Sequence, residues 1–131
     1  MKTFLTAVAL TAISFAALAQ DTRITADDDG VVFVNLMKPA DGVTLEQLAE
    51  QLTEAMELEI RSQPGFRAAS VHIARDDSYV LNYAQWDNTE SVEAVVVKLQ
   101  AGEMPELAEA FSMSSPEFHP YDVESVTVAE E

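Results

Sequence analysis

The stretch from Ser78 to Asp87, S-Y-V-L-N-Y-A-Q-W-D, is the sequence feature that most constrains the fold. It predicts a β-strand, in which successive side chains point to opposite faces of the sheet. One face carries Val80, Asn82, Ala84 and Trp86, and the other carries Tyr79, Leu81, Tyr83 and Gln85. The first face is apolar except for the amide of Asn82, which lies four residues before the only Trp of the chain. We therefore expect the rest of the chain to cover the face that bears Asn82 and Trp86.

Residues 1–19 have the organisation of a cleavable signal peptide. Lys2 supplies a short positive region, Phe4–Phe15 is apolar but short for crossing a bilayer, and Ala17–Ala19 matches an A-x-A cleavage site. We therefore expect an exported protein, periplasmic or secreted, that does not insert into a membrane after cleavage. The polar stretch 20–30, which ends in D-D-D-G, predicts an acidic, disordered leader.

The composition is strongly acidic and contains no cysteine. The chain carries 23 Asp and Glu against 7 Lys and Arg, a formal net charge of −16, which would repel nucleic acid and anionic membrane surfaces. The lack of Cys excludes a disulfide framework, thiolate metal sites and Cys nucleophiles. The two His have no ligand spacing, so no metal site is predicted.

Hydrophobic patterns predict one α+β domain over residues 31–128. Strands are expected at Val31–Met37, at Phe66–Arg75, in the central stretch and at Tyr121–Val128, with a loop over 112–120. Thr44 opens a capping box for a first helix, and Asn88 can cap a second helix with Val92 on its apolar side. Pro105 begins a further helical piece.

The order β-α-β-β-α-β is that of the ferredoxin-like fold, a four-stranded antiparallel sheet with both helices on one side. The uncovered face would carry Val32, Val34, Leu36, Tyr79, Leu81 and Tyr83. Because a contiguous exposed apolar patch marks an interface, we expect a two-fold homodimer that packs sheet on sheet.

Three segments resemble the antibiotic biosynthesis monooxygenase domain family: P-G-F-R-A-A-S-V-H from Pro64, N-Y-A-Q-W from Asn82, and F-H-P-Y-D-V from Phe118. The resemblance extends over residues 31–128 and implies a dimeric α+β barrel with a pocket between sheet and helices. It also implies oxidation of a small quinol or polycyclic phenol by molecular oxygen without an added cofactor. Other members of the family degrade haem, so that activity is one alternative. An exported, non-catalytic dimer that binds an apolar ligand is another.

The resemblance also indicates site residues. Asn82 and Trp86 match an Asn and a Trp that line the pocket of the polyketide-oxidising members, whose Tyr and Arg fall here at Val92 and about Glu106. Asn35 matches the Asn of the haem-degrading members, whose second-helix Trp falls at about Ala94. The candidate substrate-binding residues are Phe33, Asn35, Val92 and His119.

The candidate residues suggest two contacts with an aromatic substrate and one possible base. The amide of Asn82 can donate a hydrogen bond to a developing oxyanion, and the ring of Trp86 can stack on an aromatic substrate. His72 is the candidate base, with His119 as the alternative, because the unperturbed pKa of His lies near neutrality. The structural alternative is that Asn82 and Trp86 are ordinary core residues, the first a hydrogen-bonded amide.

Overall fold

The computed structural model describes residues 30–131, so the predicted signal peptide and nearly all of the predicted leader lie outside the described residues. The elements are β1 (Val31–Pro39), α1 (Leu45–Ala55) with a π-helical turn (Met56–Ile60), β2 (Phe66–Ile73), β3 (Val80–Trp86), α2 (Thr89–Gln100), α3 (Pro105–Ser112) and β4 (Ser114–Tyr121). No helix within residues 30–131 has both the length and the apolar character needed to cross a bilayer.

The four strands form one antiparallel sheet in the order β2-β3-β1-β4, so the predicted ferredoxin-like α+β fold is confirmed. Strands β2 and β3 follow each other in the chain and pair as an antiparallel hairpin. The two central strands are β1 and β3, and their register places Asn35 opposite Asn82 and Phe33 opposite Ala84. Residues far apart in sequence therefore meet on one face of the sheet.

The predicted helix starts are confirmed by their caps. The backbone N–H of Gln47 donates to Thr44 Oγ1 at 3.1 Å, and the Gln47 side chain accepts from the Thr44 backbone N–H at 3.0 Å. Asn88 Oδ1 accepts from the backbone N–H of Ser91 at 2.9 Å. These bonds satisfy donors that a helix N-terminus would otherwise leave without partners.

The prediction for the last strand was wrong. Strand β4 runs from Ser114 to Tyr121, where a loop was expected, and residues 122–131 have no regular secondary structure. The strand contains Pro116 and Pro120, which are unusual in strands because proline cannot donate to a strand ladder. However, β4 lies at the edge of the sheet, where proline is tolerated. Strand β2 also ends at Ile73, two residues earlier than predicted.

The helices pack on one face of the sheet. The buried strand residues of this face, Met37, Val80, Ala84 and Trp86 among them, share one core with the helical Leu48, Leu52, Val95 and Leu107. The opposite face, here called the open face, pairs Val34 with Tyr83 and Leu36 with Leu81. All four of these side chains are half-buried in the protomer.

Candidate active site

A cavity of about 300 Å³ lies between the sheet and the helical layer. The sheet side is formed by Phe33, Asn35, Asn82, Ala84, Trp86 and Phe118, and the helical side by Met56, Ile60, Val92, Val95, Val96, Leu99, Gln100, Leu107 and Phe111. Alternation along the strands and the i, i+3, i+4, i+7 spacing along α2 place these side chains on the inner faces. The cavity is therefore almost entirely apolar.

Five of the seven predicted site residues line this cavity: Phe33, Asn35, Asn82, Trp86 and Val92. The family's Tyr position is thus apolar here, because it is occupied by Val92. At the position of the family's Arg, Glu106 lies in the first turn of α3, and its carboxylate accepts a hydrogen bond from Gln51 at 2.9 Å. Glu106 does not line the cavity.

The two histidines lie on the open face, on the other side of the sheet from the cavity. His72 is paired with Leu81, and His119 with Val34. His72 is exposed and its Nε2 lies 2.8 Å from Ser70 Oγ, while His119 packs edge-on against Tyr121 with ring centroids 6.3 Å apart. Neither ring lines the cavity. The prediction of His72 as a base and of His119 as a substrate-binding residue at this cavity is therefore corrected.

The polar centre of the cavity is a pair of amides. Asn35 and Asn82 face each other across β1 and β3, and Asn82 is only 4% exposed. The Oδ1 atom of each side chain is buried and has no hydrogen-bond partner, and Asn82 Nδ2 lies 3.9 Å from Met56 Sδ. A buried acceptor without a partner carries a penalty of about 1–3 kcal/mol. Such exceptions are rare and call for a functional explanation, which a hydroxyl-bearing ligand would supply.

Trp86 is the last residue of β3, and its ring packs against the ring of Phe66. Its ring is 4% exposed and packs edge-to-face on Phe66, with centroids 5.2 Å apart and planes at 72°. This arrangement is a favoured geometry for aromatic pairs. Trp86 therefore presents a rigid aromatic surface to the cavity, two strand positions beyond Ala84 and four beyond Asn82.

Three phenylalanines from three elements line the outer part of the cavity. Phe118 of β4 lies 6.1 Å from Phe33 and 6.5 Å from Phe111, measured between ring centroids, and is 44% exposed. The aromatic group thus extends from the interior to the surface. The sequence analysis missed Phe118 as a lining residue because it assigned residues 112–120 to a loop. Treating Pro116, Phe118 and Pro120 as one face of an edge strand would have identified it.

No ionisable side chain is among the described residues that line the cavity. Within residues 30–131, no group of three or more His, Cys, Asp or Glu is placed to hold a metal ion. The lining also contains no His, Cys or Tyr, the side chains that most often hold haem iron, and His119 faces away. The residues present therefore do not fit the haem-degrading alternative.

Comparison with known proteins identifies relatives of the predicted kind. The sequence matches the antibiotic biosynthesis monooxygenase family over residues 30–98. Tetracenomycin-F1 monooxygenase of Streptomyces glaucescens is 45% identical over 40 residues, which cover 30% of this chain and 36% of that one. The match therefore spans little more than a third of that relative.

Solved structures share the fold over most of the chain. SnoaB, a cofactor-independent oxygenase from Streptomyces nogalater, has a TM-score of 0.63 at 22% identity, covering 78% of this chain and 99% of that one. A monooxygenase from the ActVA-Orf6 gene of Streptomyces coelicolor, in complex with nanaomycin D, has a TM-score of 0.58 at 25% identity, covering 77% and 93%. A dimeric protein of unknown function and ferredoxin-like fold from Bacteroides fragilis has a TM-score of 0.56 at 16% identity, covering 73% and 98%.

The resemblance noted in the sequence is thus confirmed, and it supports the prediction of an oxidoreductase. Because the family match covers more than half of the sequence, the chain belongs to the antibiotic biosynthesis monooxygenase family.

Proposed function

We propose that this protein is a cofactor-independent monooxygenase that oxidises a small quinol or polycyclic phenol with molecular oxygen. The observation that carries the proposal is the pair of buried amide oxygens without partners, on Asn35 and Asn82, in an apolar cavity beside Trp86. The family and a cofactor-independent oxygenase of the same fold support the reaction class.

The cavity suits a flat aromatic ring that bears hydroxyl groups. A phenolic O–H can donate to a carbonyl oxygen of either amide, which relieves the penalty of the unpaired acceptors. The rings of Trp86 and Phe33 offer apolar surfaces against which a planar substrate packs. Charged substrates are disfavoured, because no ionisable lining residue is present in residues 30–131 to pair with them.

The reaction begins when the bound phenol loses its proton to bulk water at the exposed edge of the cavity, beside Phe118, and negative charge spreads onto a ring carbon. That carbon bonds to O2, and the peroxide so formed takes up one proton from the same water to become a hydroperoxide. Loss of water from the hydroperoxide leaves a carbonyl group. One oxygen atom is thus retained in the product and the other leaves as water. A primary amide has two N–H donors, so Asn82 can stabilise the phenolate oxygen with the N–H that does not face Met56. The apolar walls keep water from the reactive carbon.

The apolar lining implies that the substrate's own acidity determines how much reactive anion forms. The acidic limb of the pH profile of kcat/KM should therefore move with the pKa of the substrate. The measurement compares several quinols and phenols of different pKa. A limb that stays near the ordinary pKa of His for every substrate would contradict this and would indicate His72 or His119 as the base.

The decisive experiment is oxygen uptake by the purified protein with quinols and polycyclic phenols, without added flavin, metal or haem. Uptake should exceed autoxidation and fall by a factor of about 10² to 10³ in Asn82→Ala, the range for loss of one oxyanion donor. His72→Ala is the matched control and should keep full activity. No uptake with any substrate from a folded protein would favour the binding module instead.

We also propose that the protein is an exported homodimer. The signal-like residues 1–19 support export. Dimerisation through the open face is supported by its row of half-buried apolar side chains. A charge introduced by Val34→Asp should dissociate the dimer in sedimentation equilibrium, whereas Val97→Asp on the exposed side of α2 should not. A monomeric wild-type protein would contradict the proposal.

A further inference from the structure

We infer that Met56 is a positioning residue that sets the orientation of the Asn82 amide. Its effect on catalysis rests on the proposed function, but the orientation itself does not. Met56 Sδ lies 3.9 Å from Asn82 Nδ2 and is the one hydrogen-bond partner of this side chain among residues 30–131. Both residues line the cavity.

The chemistry of the two groups makes the contact directional. A thioether sulfur accepts hydrogen bonds and has no hydrogen to donate. The amide must therefore turn its nitrogen toward Met56, and its carbonyl oxygen is then directed away from the sulfur. A leucine at this position would leave the two ends of the amide without a preference. The sulfur thus holds one N–H of the Asn82 amide, so that the second N–H and the carbonyl oxygen keep one orientation toward a ligand.

The fold holds the sulfur in place through the π-helical turn. Met56 is its first residue, and the backbone N–H of Arg61 donates to the Met56 carbonyl at 2.9 Å. Farther along the turn, the Glu59 carboxylate accepts the backbone N–H groups of Glu106 and Leu107, both at 2.9 Å. The turn is therefore anchored to the start of α3. Wider helical turns of this kind are frequent at functional sites.

Asn82 is held just as firmly from the other side. It lies in the middle of β3, paired with Asn35 of β1 and with Val71 of β2. The sulfur and the amide thus belong to two elements that are each fixed by backbone hydrogen bonds. The contact depends little on flexible segments, so it can orient the amide before a substrate binds.

The test is a double-mutant cycle between Met56→Leu and Asn82→Ala in the full protein. Met56→Leu conserves volume and apolar character but removes the acceptor. We expect Met56→Leu to lower kcat about two-fold with KM unchanged, and to add nothing in the Asn82→Ala background, the pattern of coupled residues. Met104→Leu is the control, because it makes the same substitution at a buried methionine of the core that does not line the cavity. Its effect should be small and additive, and an additive effect of Met56→Leu would overturn the inference.

A second measurement does not depend on activity. The side-chain amide resonances of Asn82, assigned by their loss in Asn82→Ala, should shift and broaden in Met56→Leu and stay unchanged in Met104→Leu. Resonances unchanged in Met56→Leu would overturn the positioning role. Shifted resonances in a protein that consumes no oxygen with any phenol would support the positioning role and refute the proposed function.

Discussion

Replacing Asn82 with leucine should stabilise the fold while it abolishes oxygenation. Asn82 is 4% exposed, its Oδ1 is buried without a partner, and within residues 30–131 the one hydrogen bond of its side chain goes to sulfur at 3.9 Å. Leucine has the same branched shape, its bulkier methyl groups can extend into the adjoining cavity, and it removes the unpaired acceptor, whose penalty is about 1–3 kcal/mol. Loss of the weak bond to sulfur offsets about 0.5 kcal/mol of this gain. The net gain is therefore about 0.5–2.5 kcal/mol in the free energy of unfolding.

The assay is urea unfolding at one fixed protein concentration, supported by calorimetry. Each kcal/mol should raise Tm by about 4–8 °C for a domain of this size. Asn88→Leu is the matched control, because its Oδ1 accepts hydrogen bonds from the backbone N–H and the hydroxyl of Ser91 at 2.9 and 2.8 Å. Loss of that cap should destabilise the protein by about 1 kcal/mol, the opposite sign. If Asn82→Leu were destabilising as well, Asn82 would be a structural core amide and the functional argument would fail.

Three further predictions concern the scaffold. In urea unfolding, Gly65→Ala should lower the free energy of unfolding by at least about 2 kcal/mol more than Gly42→Ala. Both glycines have positive φ, but only at Gly65 would a Cβ approach Ser91 Oγ to 2.1 Å. Equal losses of stability in the two variants would contradict the clash. Glu59→Ala should cost about 1–2 kcal/mol through loss of the α3 cap, whereas Glu57→Ala, in an exposed pair with Arg61, should change stability by less than about 0.5 kcal/mol. The hydroxyl and backbone N–H of Ser78 donate to the Asp76 carboxylate and lower its pKa. The contribution of these bonds to folding stability is therefore present above the ordinary Asp pKa and is lost as pH falls through the lower folded pKa. An NMR titration should show a higher Asp76 pKa in Ser78→Ala.

Local patterns in the sequence determined much of this architecture. The alternation along β3 predicted that Val80, Asn82, Ala84 and Trp86 share a buried face, and all four are buried. The capping residues Thr44 and Asn88 predicted the starts of α1 and α2. These features were predictable because strand alternation and helix capping depend on neighbouring residues alone.

Other features depended on which elements pack together. Pro116 and Pro120 are compatible with a strand only because β4 is at the sheet edge, and an edge is defined by the whole sheet. Strand alternation placed His72 on the face opposite Val71, but only the packing of the helices on one side decided that this face lies away from the cavity.

The same distinction applies to the site. The sequence identified Asn35 and Asn82 as separate candidates, whereas the register between β1 and β3 made them a facing pair with unpaired oxygens. The contact of Met56 with Asn82 depends on a π-helical turn at the end of α1 that the sequence did not predict. Sequence patterns thus determined which side of each element is buried, because that depends on local periodicity. Only the tertiary structure decided which buried polar atoms meet, because that depends on pairing between distant segments.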